Sequence, residues 1–160
     1  MAVYVLHVLG GKEEKIVREL THKKITSIVP KELALIRKSG TWHEQERLLI
    51  PGYVFVQCEF NTDVYYIAKA VNGVIRFLGA PTPLTNKDNE FINLFLTDEI
   101  SKPSEIEIEN GHLNAVSGIL KGNENRIVCY SKHHKRATIK LDMANETKLI
   151  SLSANFTDKA

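Results

Sequence analysis

The sequence predicts an α+β fold with a mainly antiparallel N-terminal sheet flanked by helices, followed by a small all-β C-terminal barrel. Strands and amphipathic helices alternate irregularly over residues 1–100, without the regular βαβ spacing of a parallel sheet. Residues 111–160 contain only short runs rich in β-branched residues, separated by turn signals. We therefore expect two domains with these boundaries. The acidic stretch 101–110, which contains Pro103, predicts the linker between them, although Ile106 and Ile108 within it could pair as a brief strand.

The first elements follow from composition and periodicity. Residues 2–8 are rich in Val, Tyr and Leu and predict a strand, which ends at a Gly-Gly pair. Ile16, Val17 and Leu20 then share one face of an amphipathic helix, with charged residues on the remaining surface. This pattern indicates a helix that covers one side of the sheet.

A charged β-hairpin is predicted between the runs ELALIRK and WHEQERLLI, because Ser39 and Gly40 supply a turn between them. Its tip is expected to project. Trp42 lies near that tip, and we expect it to pack locally, although at a projecting hairpin it could contact a partner.

The strand at residues 53–60 follows a Pro-Gly turn. Alternation places Val54 and Val56 on one face, which we expect to be core. Tyr53 and Phe55 begin the other face, which ends polar. Two interpretations stay open for that face: the fold leaves it partly exposed for a partner, or a helix covers the aromatic residues.

Two further helices carry start signals. Asn61 can cap a helix through its side-chain oxygen, and Asn72-Gly73 can end it. Thr85 with Asp88 three residues later resembles a capping box before a helix whose apolar face includes Phe91 and Phe95.

Residues 50–56 read IPGYVFV, and this segment resembles FPGYVFV of the NusG family of transcription elongation factors. The similarity extends through the opening strand, Gly11 with Glu14, the charged helix and a VPK segment at 29–31, in the family's order. At the C-terminal end, residues 118–122 read GILKG and resemble a Gly-Pro-Phe-x-Gly loop of the family's KOW domain, with Ile in place of Pro. The resemblance covers nearly the whole chain.

This resemblance implies an N-terminal NGN domain with a hydrophobic depression that receives the clamp helices of RNA polymerase. The residues of this sequence implied at that surface are Val8, Ile50, Tyr53 and Phe55. Segments 118–124 and 135–137 look most similar to the LoaP antiterminators, a group of specialised paralogues. That similarity implies recognition of a hairpin in nascent RNA. A switch of the barrel into helices is disfavoured, since Gly and β-branched residues favour strands.

The excess of positive charge lies in the C-terminal part of the chain, which is also the part implied to recognise RNA. Residues 1–100 contain 12 basic and 12 acidic residues, residues 101–110 contain 1 and 3, and residues 111–160 contain 8 and 4. A basic C-terminal domain predicts that a polyanion such as RNA binds there. The predicted RNA-binding residues are Lys121, Arg126, Tyr130, Lys132, His133, His134, Lys135 and Arg136.

Alternatives for the basic surface stay open. It is either a solvated face without a ligand or the docking site of a ribosomal protein or termination factor, as in a general NusG-type factor or a ribosome-associated KOW protein. An enzyme is not predicted, since the chain lacks a P-loop, a Gly-x-Ser-x-Gly elbow and a His-Glu-x-x-His motif.

Neither a cofactor nor a metal site is expected. Cys129, His133 and His134 fall short of the four ligands of a structural zinc site. Both Cys58 and Cys129 occupy positions typical of small core residues. No apolar run approaches the roughly 18 residues of a membrane span, and the N-terminus lacks a signal peptide, so we expect a cytoplasmic monomer.

Overall fold

The computed structural model describes residues 1–97, 100–144 and 146–159. Over these residues it contains helices together with sheets of four, five and three strands, which confirms the predicted α+β class. The helices are α1 (Glu13–His22), α2 (Thr62–Lys69) and α3 (Asn86–Thr97). The N-terminal strands are β1 (Ala2–Val8), β2 (Thr26–Ile28), β3 (Lys31–Lys38), β4 (Thr41–Leu48), β5 (Tyr53–Cys58) and β6 (Val74–Phe77). The later strands are β7 (Ile100–Ser101), β8 (Ser104–Glu109), β9 (His112–Ser117), β10 (Ile127–Ser131), β11 (Arg136–Met143) and β12 (Glu146–Asp158).

The chain forms two compact units. Unit 1 comprises Met1–Val29, Ile50–Leu96 and Asp142–Lys148. Unit 2 comprises Pro30–Leu49, Thr97–Leu141 and Leu149–Ala160. The β3–β4 hairpin therefore belongs to the same unit as most of the C-terminal strands. Independent folding of the two predicted domains stays a prediction.

Unit 1 is built on a four-stranded antiparallel sheet in the order β2-β5-β1-β6. β1 and β5 form its centre, and Val5, Leu6, Val54 and Val56 are buried there. α1 buries Ile16 and Leu20, as the periodicity predicted. Burial of this apolar stripe is the main stabilising term for a short surface helix.

The helix starts in unit 1 confirm the capping signals. The Asn61 side chain accepts a hydrogen bond from the Val64 backbone N–H at 2.9 Å at the start of α2. Before α3, the Thr85 hydroxyl donates to the Asp88 carboxylate at 3.1 Å. α3 buries Phe91, Ile92 and Phe95. The Asn61 side chain therefore caps α2, while Thr85 directly precedes α3 at the predicted start and contacts Asp88 through side chains only.

Unit 2 contains a five-stranded sheet in the order β10-β11-β12-β8-β9 and a three-stranded sheet in the order β4-β3-β7. The predicted hairpin is confirmed, with Lys38 paired to Thr41 at its tip. The stretch 101–110, predicted as a linker, instead contains β8, which pairs in parallel with β12 and antiparallel with β9. The strand that was left open for Ile106 and Ile108 is therefore present, because these residues alternate with Glu and are buried in the core.

The two cysteines differ in environment. Cys58 is buried on β5, and burial raises the pKa of its thiol above the ordinary value because the thiolate loses solvation. Cys129 is exposed on β10, so its prediction as a core residue was wrong. The described part of the chain has no helix with the length and apolar character needed to cross a membrane.

Candidate functional site

The first candidate surface lies on the unit 1 sheet, where three polar-tipped side chains share one face. Register pairs His7 of β1 with Tyr53 of β5 on one side and with Arg76 of β6 on the other. Residues directly opposite in neighbouring strands point to the same face. The rings of His7 and Tyr53 are stacked, with centroids 5.3 Å apart and planes inclined by 22°. Tyr53 is 9% exposed.

Charged residues of the segment Asp142–Lys148 complete this surface. The Tyr53 hydroxyl donates to Glu146 Oε2 at 3.3 Å, and Arg76 Nη2 donates to Glu146 Oε1 at 3.2 Å. Lys148 Nζ lies 5.0 Å from the centroid of the Tyr53 ring, within cation–π range. The surface therefore presents charges of both signs around a largely buried aromatic ring.

All four residues implied at this surface are buried. Val8, Ile50 and Phe55 belong to the core, and Phe55 is fully inaccessible. Tyr53 is buried as well, so of the two open interpretations of this face the structure supports the one in which a helix covers the aromatic residues. Helix α3 lies over the same face, because Gln57 on β5 donates to Asn93 on α3 at 3.4 Å.

An aromatic cleft of about 710 Å³ lies elsewhere on unit 1 and was missed by the sequence analysis. Phe77 contacts Phe60 at 5.6 Å and Tyr65 at 5.7 Å between ring centroids, and Tyr66 is largely exposed at the rim. Lys69 also lines the cleft. The available signal was the group of aromatic residues in EFNTDVYY, to which no role was assigned from the sequence.

The basic residues predicted to bind RNA lie in unit 2, and their environments separate them into two groups. Lys121, Lys132, His133 and His134 are exposed. Tyr130 is 41% exposed and stacks on Phe156, with centroids 5.2 Å apart. These side chains are accessible to a partner.

The two arginines that were predicted to bind RNA form hydrogen bonds or ion pairs within the chain. Arg126 is buried, and its Nε donates to Asn123 Oδ1 at 3.0 Å. Arg136 donates to Glu32 Oε2 at 3.1 Å and to Ser153 Oγ at 3.0 Å, and its side chain is only 19% exposed. Neither side chain is freely exposed, and RNA contact by these two arginines stays a prediction. The turn before β11 leaves Lys135 half-buried.

The chemistry of these surfaces is that of binding. In the described ranges, no group of three or more His, Cys, Asp or Glu side chains is arranged to hold a metal ion. Lys132 Nζ pairs with Asp158 at 3.0 Å, and His134 Nδ1 contacts Ser131 Oγ at 3.0 Å. Rings and cations at the surface favour contact with a protein or a nucleic acid.

Comparison with known proteins supports this view. The family model described as transcription termination factor nusG matches residues 1–96. A transcription termination/antitermination protein NusG from Haemophilus influenzae is 27% identical over 113 residues, which cover 62% of this chain and 61% of that protein. The NusG of Neisseria meningitidis is 32% identical over 105 residues, which cover 62% and 59%. The NusG of Campylobacter jejuni is 40% identical over 72 residues, which cover 43% and 39%.

These alignments span less than two thirds of each relative's length. A solved structure of Thermotoga maritima NusG matches the fold with a TM-score of 0.55 at 19% identity, covering 95% of this chain and 93% of that one. The family model alone covers more than half of the sequence. The chain belongs to the NusG family.

Proposed function

We propose that the chain is a transcription elongation and antitermination factor that binds RNA polymerase through unit 1 and a nascent RNA hairpin through unit 2. Family membership over residues 1–96 carries the first part, because the relatives are named as transcription termination/antitermination proteins. The exposed cations and the Tyr130–Phe156 stack support the second part. The C-terminal segments resemble the LoaP antiterminators, so we propose a specialised paralogue. We also propose that it acts in the cytoplasm and as a monomer.

The proposed polymerase contact centres on Tyr53. Its hydroxyl bonds to Glu146 beside His7 and Arg76 although the residue is only 9% exposed, whereas Val8, Ile50 and Phe55 support the sheet from within. An aromatic side chain with a polar tip is a common anchor of protein interfaces, because it adds apolar area at low entropic cost. The clamp helices of the polymerase are the proposed partner.

Replacing Tyr53 with Ala should weaken retention on immobilised RNA polymerase by about tenfold or more, since an interface anchor typically contributes ~2 kcal/mol. The matched control is Tyr66→Ala, which removes a more exposed tyrosine from α2. Tyr53→Phe keeps the ring and removes only the hydrogen bond to Glu146. Circular dichroism checks that each variant is folded. Equal retention of Tyr53→Ala and wild type would move the polymerase contact away from β5.

The proposed RNA contact uses the accessible residues of unit 2. These are Lys121, Tyr130, Lys132, His133, His134 and Lys135, while Arg126 and Arg136 hold the unit together. Phosphate contacts give affinity without sequence information, and an A-form stem hides its base edges in a narrow major groove. Discrimination should therefore come from stacking or hydrogen bonding of loop bases by Tyr130 or His134.

Titration of the full chain with an RNA stem-loop and with a scrambled RNA of equal length tests this proposal. Tyr130→Ala should weaken binding of the stem-loop more than binding of the scrambled RNA, whereas Lys121→Ala should weaken binding of both RNAs alike. Equal binding of the two RNAs by the wild-type chain at physiological salt would remove specific recognition.

Docking of a ribosomal protein or a termination factor is the second candidate for unit 2. Val128 is 54% exposed and Leu149 is 67% exposed, and exposed aliphatic residues favour a protein partner over RNA. Val128→Ser with Leu149→Ser should then abolish capture of a purified ribosomal protein while leaving RNA binding unchanged.

A further inference from the structure

The β3–β4 hairpin is held against the C-terminal strands of unit 2 by one buried carboxylate. Glu32 Oε1 accepts a hydrogen bond from the Ser153 backbone N–H at 2.9 Å, and its Oε2 accepts from Arg136 at 3.1 Å. The Leu35 backbone N–H donates to Ser153 Oγ at 2.8 Å. These bonds fix the position of the hairpin relative to the β10–β11 turn within the unit.

This attachment brings Trp42 next to two cations from different parts of the sequence. Arg37, its cross-strand neighbour, places Cζ 5.8 Å from the indole centroid. Lys135, from the turn that also carries the predicted His133 and His134, places Nζ 5.3 Å from the same centroid. Trp42 is half-buried and Arg37 is exposed, so the cluster reaches the surface.

Among the residues that the structure describes, the two cations of this cluster have no carboxylate partner. Lys132 pairs with Asp158 and Arg136 pairs with Glu32, so part of the predicted cationic surface is already compensated. By contrast, no described carboxylate forms an ion pair with Arg37 or Lys135, and Lys135 Nζ donates instead to the neutral amide of Asn155 at 3.0 Å. An indole flanked by two available cations matches unpaired bases joined by phosphates.

We propose that the β3–β4 hairpin is part of the RNA-binding surface, where Trp42 contacts unpaired loop bases and Arg37 and Lys135 contact the adjacent phosphates. This inference rests on the proposed RNA binding of unit 2 and extends it to a segment that precedes the C-terminal strands by many residues. Trp42, expected to pack locally, thereby becomes a ligand-contacting residue.

The chain has a single tryptophan, so its intrinsic fluorescence reports on Trp42 alone. The full chain is titrated with a dye-labelled RNA stem-loop, and tryptophan emission and dye anisotropy are followed together. We expect the stem-loop to quench the emission with the same midpoint as the anisotropy change. Inorganic polyphosphate, which carries charge without bases, should leave the emission unchanged.

Variants of the cluster separate its two contributions. Trp42→Ala should weaken stem-loop binding about tenfold. Trp42→Phe preserves an aromatic face and is less disruptive to folding, so it should lose much less affinity. Arg37→Ala and Lys135→Ala should each lower the slope of log affinity against log salt by about 0.7–0.9. Lys23→Ala, which removes one exposed positive charge from unit 1, is the matched control and should not change that slope.

The outcomes distinguish this inference from the function on which it rests. If the stem-loop binds with no change in emission and with equal affinity for Trp42→Ala, the hairpin does not take part, although RNA binding by unit 2 stands. Equal quenching by polyphosphate would overturn the base contact. Absence of any RNA binding would overturn both proposals.

Discussion

Gly118 occupies a position in unit 2 with no space for a side chain. Its φ is +88°, and a Cβ built there would lie 2.6 Å from Ser104 Cα. Ser104 is itself buried, and its hydroxyl accepts a hydrogen bond from the Leu120 N–H at 3.2 Å. The loop at 118–122 is therefore packed directly on β8. Gly122 ends the same loop with a φ of +81° but has no atom within 4 Å of its Cβ position.

Comparing alanine at these two glycines separates backbone strain from steric exclusion. Gly122→Ala should lower the free energy of unfolding by about 1–2 kcal/mol, the cost of a left-handed conformation for an L-residue. Gly118→Ala should cost about 1–3 kcal/mol more, because Ser104 must also move. Chemical denaturation monitored by circular dichroism measures both values. Equal destabilisation would mean that β8 moves aside without cost.

At the scale of elements, the β3–β4 hairpin depends on Glu32 for its attachment. Besides Arg136, Arg47 Nη2 lies 2.8 Å from Glu32 Oε2, so two guanidinium groups share one buried carboxylate. Burying these charges is costly in itself, and the arrangement is stable because each polar group has a partner. The ion pairs therefore specify where the hairpin packs more than they add net stability.

Removing this carboxylate should be strongly destabilising. Glu32→Ala leaves Arg136 without its charged partner and the Ser153 N–H without an acceptor, so we expect a loss of about 3–5 kcal/mol. Glu46→Ala is the matched control on the same hairpin, since Glu46 is half-exposed and its ion pair with Lys31 is long, at 3.6 Å. It should cost less than ~1 kcal/mol. A small effect of Glu32→Ala in urea denaturation would contradict the anchoring role.

At the scale of the whole molecule, the position of β8 decides which C-terminal fragment can fold. β8 lies between β12 and β9, so β9 has no other neighbour in the five-stranded sheet. Ile106 is buried in the core of that sheet. A fragment that begins at residue 111 would lack this strand and leave both neighbours with unpaired edges.

Two fragments test the boundary. Residues 100–160 retain the complete five-stranded sheet but lack Glu32, so they should give dispersed amide signals in an NMR spectrum and a cooperative thermal transition at a lower temperature than the full chain. Residues 111–160, the predicted barrel domain, should give the narrow dispersion of an unfolded chain. A dispersed spectrum from the shorter fragment would show that β8 is dispensable and would favour the linker prediction.

The sequence predicted which residues are candidates for the sites, but it predicted only in part whether their side chains are exposed to a partner. The IPGYVFV segment located the sheet that carries Tyr53, and the charge asymmetry located the basic residues of unit 2. Availability depends on partners that are distant in sequence. Arg136 pairs with Glu32 across 104 positions, and α3 covers the face that holds Phe55.

The sequence by itself determined the α+β class, the helix starts at Asn61 and Thr85, the β3–β4 hairpin and the family resemblance. Capping, turn chemistry and periodicity act over a few residues, so a linear pattern contains them. Only the tertiary structure decided that Phe55 is core and that the segment around Ile106 is a central strand. Burial and strand pairing depend on which distant segments meet, and that information is distributed over the whole chain.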